Sequence, residues 1–190
     1  MIIALSGLAG SGKSTIKSML AKRLGYKAYS VGDLRGKMAL DRGITIDQLN
    51  DIGMEHDYTD KDVDNYQTQL GKQEDNFVID GWLSWFFIPH AVKVFLSVDP
   101  DEGARRIYEA KKNNPQARKD EPDYPSVEAA KAAIAARTAS NASRYKKWYN
   151  ADFLDLSHYD LVIDTTSNPP EEVVRIIQDY LQLDGPGDFR

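Results

Sequence analysis

Near its start the chain runs Gly7-Leu8-Ala9-Gly10-Ser11-Gly12-Lys13-Ser14-Thr15. Two glycines five residues apart, followed by a lysine and a hydroxyl residue, are suited to holding a polyphosphate. Glycines let successive backbone N–H groups turn inward around an anion, and a helix starting at Lys13 adds its positive end. Lys13 is expected to reach the β- and γ-phosphates, and Ser14 to ligate Mg²⁺. The flanks agree. Ile2-Ile3-Ala4-Leu5 is a short apolar run of buried-strand type, and Ile16, Met19, Leu20 and Leu24 recur at helical spacing.

Other residues suggest an acceptor for the phosphoryl group. Ser30-Val31-Gly32-Asp33-Leu34 follows a second strand and opens a helix, which places Ser30 and Asp33 at the carboxyl edge of a sheet. Ligands of open α/β folds bind at that edge. Asp80 ends a third apolar run, 76–80, before Gly81 and Trp82. It can hold Mg²⁺, orient an acceptor phosphate, or simply open a turn. Arg137, Asn141, Arg144 and Tyr145 share one face of a helix expected over 126–149. Guanidinium groups suit phosphate oxygens because their fork donates paired bonds and stays charged. Trp82 offers either a stacking face for a base or ordinary packing with Trp85, Phe86 and Phe87.

The elements that must carry these residues alternate. Strands are expected near 2–6, 27–30, 76–80, 92–98 and 160–164, with helical segments between them, which predicts a parallel sheet covered on both faces. Gly25 ends the first helix. Asp33 is placed as the N-cap of a short helix that Gly43 ends. Thr45 to Gln48 and Asp99 to Glu102 fit capping boxes, with Pro100 at the first helical position. Asn168-Pro169-Pro170-Glu171 opens a last helix with Val173, Val174, Ile177 and Leu181 as its apolar stripe. Eight acids between residues 41 and 64 read as solvated helix faces. Six bases between 105 and 119 run from a strand-then-helix unit into a Pro-punctuated loop, 113–125, which reads as a mobile lid that closes over polyphosphate.

Composition narrows the class. In 190 residues, 42% are hydrophobic and 28% charged, which suits one α/β unit with a real core. A net charge of −5 argues against a binder of nucleic acid polymers. With no cysteine, thiolate catalysis and disulfides are excluded, and the three histidines form no ligand pair. No leader or membrane-length apolar run is evident, so the expected setting is cytoplasmic, with no membrane partner. No helix face marks a dimer interface, and a monomer is expected.

Together, these pieces resemble the cytidylate kinase-like family of P-loop nucleoside monophosphate kinases. The matching stretches are 7–15, Ser-Val-Gly-Asp-Leu at 30–34, Ile-Asp-Gly at 79–81, Arg-Arg-Ile at 105–107, Arg137 through Tyr149, and 159–166. The resemblance implies a three-layer α/β P-loop kinase fold with a five-stranded parallel sheet, a helical monophosphate-binding insert and a lid. It implies phosphorylation of a pyrimidine nucleoside monophosphate, CMP or dCMP, by ATP with Mg²⁺. Lys13, Arg106, Arg137 and Arg144 would be catalytic, the last three as lid arginines. Ser30, Asp33, Asp80, Gly81, Trp82 and Asn141 would face the acceptor. The expected division is a core (1–30, 76–108, 159–183), acceptor-binding helices (31–75), a lid and long helix (109–150), and a flexible tail (184–190). The chain departs from the family pattern where an arginine, an arginine and an acid are usual, carrying Gly36, Trp82 and Asn141. Arg35 and Lys37 flank the first gap as substitute phosphate donors. These departures leave open a kinase with another small-molecule acceptor, or a nucleotide-binding module with weakened catalysis.

Overall fold

The computed structural model describes residues 1–56, 58–114 and 122–183. Five strands, β1 (Ile2–Gly7), β2 (Lys27–Ser30), β3 (Phe77–Asp80), β4 (Val92–Ser97) and β5 (Leu161–Asp164), form one parallel sheet in the order β2-β3-β1-β4-β5. Each expected strand is present within a residue or two. The third starts one residue late because Asn76 adopts φ 58°, outside extended geometry.

Alternation along the strands builds two cores, because successive side chains point to opposite faces. Ile3 and Leu5 of β1 pack with Ile16 and Leu20 of α1 (Lys13–Leu24) and with Val173, Val174 and Ile177 of the final helix α8 (Pro170–Leu183). Ile2 and Ala4 face the other way, toward Phe77, Ile79, Leu70 and Ile88. Both faces are therefore dry, as a parallel sheet requires.

Between β2 and β3 lie α2 (Val31–Asp41), α3 (Ile46–Glu55) and α4 (Tyr58–Gln73), with the short α5 (Ser84–Phe87) following β3. α6 (Pro100–Asn113) and the long α7 (Val127–Tyr149) connect β4 to β5. The caps follow the sequence with three corrections. Thr45 and Gln48 form the reciprocal capping box. Asp99 accepts from the N–H groups of Asp101 and Glu102, but its own N–H donates to Thr166 Oγ1 while the Glu102 carboxylate binds Arg105 and Arg106, so this cap is not a box. The cap of α2, however, is Ser30, whose hydroxyl accepts from Asp33 N–H, so Asp33 belongs to the first turn instead of preceding it. Asn168 does not cap α8 either. Its amide donates to Asp164 O at 2.7 Å, and the helix begins two prolines later.

Candidate active site at the carboxyl edge of the sheet

β1 runs straight into the phosphate loop, and close packing dictates its glycines. A Cβ on Gly7 (φ 143°) would lie 2.2 Å from the Leu96 carbonyl oxygen, and one on Gly10 (φ 82°) would lie 2.3 Å from that of Gly103. Both positions also lie in the left-handed region that side chains avoid. The loop is thus wedged against β4 and α6 by the absence of side chains. Lys13 arches back over it, donating from Nζ to Gly7 O at 2.8 Å and Leu8 O at 2.7 Å.

Parallel pairing places Asp80 level with Leu5 of β1 and Ser30 of β2, so its carboxylate sits beside the first turn of α1. Ser14 Oγ donates to Asp80 Oδ2 at 3.3 Å, and Lys17 Nζ lies 3.1 Å from Oδ1. Hydroxyl and carboxylate oxygens are the donors Mg²⁺ prefers. Among the described residues, no cluster of three His, Cys, Asp or Glu is placed to hold a metal. Mg²⁺ held partly by nucleotide phosphates needs no such cluster.

One cavity of about 650 Å³ joins this loop to the insert helices. Ala9, Gly10 and Gly12–Thr15 line one end; Ser30, Asp33, Arg35, Gly36 and Lys37 of the β2–α2 region line a wall; Asp80, Gly81, Trp82, Arg137, Asn141, Arg144 and Tyr145 complete it. Trp82 packs in the aromatic cluster that also holds Trp85 and Phe87. It stacks on Phe153 (centroids 4.7 Å apart, 14° between planes) and meets Tyr145 edge-on. Asn141 is only 5% exposed, and its Oδ1 has no hydrogen-bond partner.

Behind the wall lies an ion cluster. Arg144 is fully buried, with Nε 3.0 Å from Asp60 Oδ2 in a charge contact that lacks hydrogen-bond alignment. Arg35 pairs with the other oxygen of Asp60, and both guanidinium groups donate to Asn50 Oδ1 at 3.0 Å. Residues from α2, α3, α4 and α7 are thereby tied together. Burial lowers the Arg35 pKa, opposed by the Asp60 charge. The acidic segment is therefore not solvated throughout. Asp60 is 3% exposed, while Asp41, Asp51, Glu55 and Asp62 do face solvent.

Asp64, next to this cluster, accepts from the Tyr149 hydroxyl. Burial pushes its carboxyl from the ordinary 3.8 up to about 7. A raised carboxyl pKa means that the folded chain holds the proton more tightly than the unfolded one. Asp64 therefore costs nothing below pH 3.8, costs progressively more as pH rises to about 7, and costs a constant amount above. Asp64→Asn is expected to raise Tm at pH 8 and to leave it nearly unchanged at pH 4. Melting curves at both values check this, and an equal shift at each would overturn it.

The structure separates the three arginines assigned to a lid. Arg137 and Arg144 line the acceptor cavity, whereas Arg106 lines a second cavity behind the phosphate loop, donating to Thr165 O at 2.9 Å and Thr166 O at 3.0 Å. The heptad-spaced pair also splits. Arg137 is half-buried and Arg144 wholly so, since the helix face that carries both dips into the ion cluster at its C-terminal end. Arg118 and Lys119 of the basic loop, and the tail 184–190, lie outside the described residues. Leu8 sits on the aromatic core and Ser11 is buried in the loop. Residues that sequence reasoning missed are Lys17, Asn50, Asp60 and Asp64. For Lys17 a signal existed: it follows Lys13 by four residues, on the same face of α1.

Known proteins resemble this chain in both sequence and fold. A family model described as the cytidylate kinase-like family matches residues 2–167. The chain belongs to the cytidylate kinase-like family. It is 32% identical over 183 residues to a cytidylate kinase of Methanobrevibacter smithii, covering 96% of this chain and 99% of that one. It is 35% identical to a cytidylate kinase of Natronomonas pharaonis, covering 99% and 93%. Among solved structures, shikimate kinase from Aquifex aeolicus shares the fold, with a TM-score of 0.56, 22% identity, and 99% and 100% coverage. The five-stranded sheet and its flanking helices are thus those of P-loop kinases. Nucleoside monophosphate kinase chemistry with ATP and a divalent metal is the general property of this family. No described helix is long and apolar enough to cross a membrane.

Proposed function

We propose that the protein is a nucleoside monophosphate kinase that transfers the γ-phosphoryl group of ATP to CMP or dCMP. The observation that carries this reading is the cavity of about 650 Å³ lined at one end by the phosphate loop and at the other by the insert helices and α7. Donor and acceptor phosphates can meet within that one cavity. The high coverage of curated cytidylate kinases supports the acceptor, and nothing among them favours an acceptor of another class or a binding module without turnover.

The loop amides of 8–14 cradle the donor phosphates. Lys13 exchanges the Gly7 and Leu8 carbonyls for charged phosphate oxygens and follows the transferring group, since charge spread over its oxygens is what must be stabilised. Ser14 and Asp80 would hold Mg²⁺, which would supply positive charge to the donor phosphates. The acceptor oxygen is already an anion, so no general base is required. Ser30, Asp33, Lys37 and Arg137 frame the acceptor phosphate, while Arg35 and Arg144, held by Asp60 and Asn50, form the charged backing of the wall. Trp82, supported flat by Phe153, offers an apolar wall to the nucleoside. Arg106 serves the donor side, where its cavity adjoins Gly10 to Thr15.

A coupled assay with ATP against CMP, dCMP, UMP, dTMP, AMP and GMP tests the proposal. Turnover is expected with CMP and dCMP first, and none at millimolar acceptor would overturn it. Asn141 supplies a finer check. It lines the cavity, and its buried Oδ1 lacks a partner. With that oxygen as an acceptor for the bound nucleoside, Asn141→Ala is expected to raise the acceptor KM about tenfold, the worth of one neutral hydrogen bond. The KM for ATP should stay within about twofold. A parallel rise in both constants would count against this role.

A further inference from the structure

Lys17 is a buried cation that the phosphate loop itself does not require. It lies one turn beyond Lys13 on α1 and is 7% exposed. Its ammonium sits 3.1 Å from Asp80 Oδ1 and 4.0 Å from Asp33 Oδ2. Asp33 is 84% exposed at the cavity wall, whereas Asp80 is buried at the end of β3. Two carboxylates therefore flank the path of a dianionic acceptor, and Lys17 is the cation wedged beneath both. It also divides the work of Asp80: Oδ1 is taken by Lys17, and only Oδ2 meets the Ser14 hydroxyl.

We propose that Lys17 is a positioning residue that sets the charge balance between the metal and acceptor halves of the site, acting through Asp80 and Asp33. The inference rests on the kinase reading above. Its consequence is a pair of opposite effects. An ammonium beside Asp80 repels Mg²⁺ and weakens the carboxylate's pull on it. The same ammonium offsets the two carboxylates that would otherwise repel an acceptor phosphate. At about 4 Å, one unit charge changes a binding constant by roughly fivefold at the dielectric of about 80 of water and by far more at about 20. The open, hydrated cavity sets the effect near the lower end, roughly tenfold. A residue that only supported the fold would move both ligands in the same direction.

The test measures binding and not turnover. Calorimetry on the full chain, with ADP present throughout, follows Mg²⁺ and CMP in separate titrations. Lys17→Met is expected to tighten Mg²⁺ several-fold and to weaken CMP about tenfold. Lys17→Gln keeps a hydrogen-bond donor to Asp80 without the charge and is expected to match it. It also supplies the measurement if Lys17→Met does not fold. Lys17→Arg retains the charge and should stay within about threefold of the parent for both ligands. Weakening of both ligands together, or parent-like values in Lys17→Gln, would overturn the proposal. A parent protein that binds ADP and Mg²⁺ but not CMP would instead remove the acceptor reading, with the Mg²⁺ arm still deciding the role of Lys17.

Discussion

Lys13→Ala is expected to lower kcat by about 10³-fold or more, because it deletes the charge that accompanies the phosphoryl group between donor and acceptor. The protein should remain folded. What the ammonium holds in the structure is two carbonyls of its own loop, Gly7 O and Leu8 O, on a half-buried side chain. Each hydrogen bond from a charged group is worth roughly 1.5–3 kcal/mol, and water reaching the half-buried carbonyls offsets part of the loss, so a fall in Tm of several degrees is expected for a chain of this size. The backbone amides that cradle phosphate persist in the variant, so ADP should still raise its Tm. Kinetics and melting curves read on the same preparation separate the two effects. Turnover within tenfold of the parent would show that the charge in the transition state is met elsewhere.

The second large effect concerns stability. Asp60→Asn removes the negative charge between two buried guanidinium groups, Arg35 and Arg144, and leaves them with neutral direct partners, Asn50, the Thr59 carbonyl and the Tyr145 hydroxyl. Uncompensated buried charge costs about 3–5 kcal/mol, a large part of the 5–15 kcal/mol that holds a typical domain together. A fall in Tm of roughly 6–20 °C follows. The cluster joins α2, α3, α4 and α7, so acceptor binding should weaken beyond what the melting change explains. A triple variant, Arg35→Met with Asp60→Leu and Arg144→Met, refines the expectation. Replacing all three by apolar groups removes the desolvation cost, so stability should recover while CMP affinity does not. A change in Tm of less than about 2 °C in Asp60→Asn would mean that the cluster carries little of the fold.

The sequence by itself determined the phosphate loop, the strand positions and most helix boundaries, since each depends on local chemistry. Glycines at 7, 10 and 12 take backbone geometry that side chains resist, and the short apolar run Ile2–Leu5 directly before them reads as a strand buried on both faces. Asp80 was identified as a candidate for the same reason: a carboxylate ending an apolar strand lies at the edge where ligands bind. Charge patterns were less legible. Seven acids spread over three helices look alike in one dimension, yet Asp60 and Asp64 turn inward because the partners that neutralise Asp60 or fix Asp64 come from residues 35, 144 and 149. Arg106, Arg137 and Arg144 look like one set until folding places the first behind the phosphate loop and sinks the last into the ion cluster. Trp82 finds its stacking partner 71 residues away, at Phe153. Local preference fixes elements, but burial of a charge or a ring depends on which elements meet. That meeting was decided by the packing of α2, α3 and α4 against α7, which no short window of the chain contains.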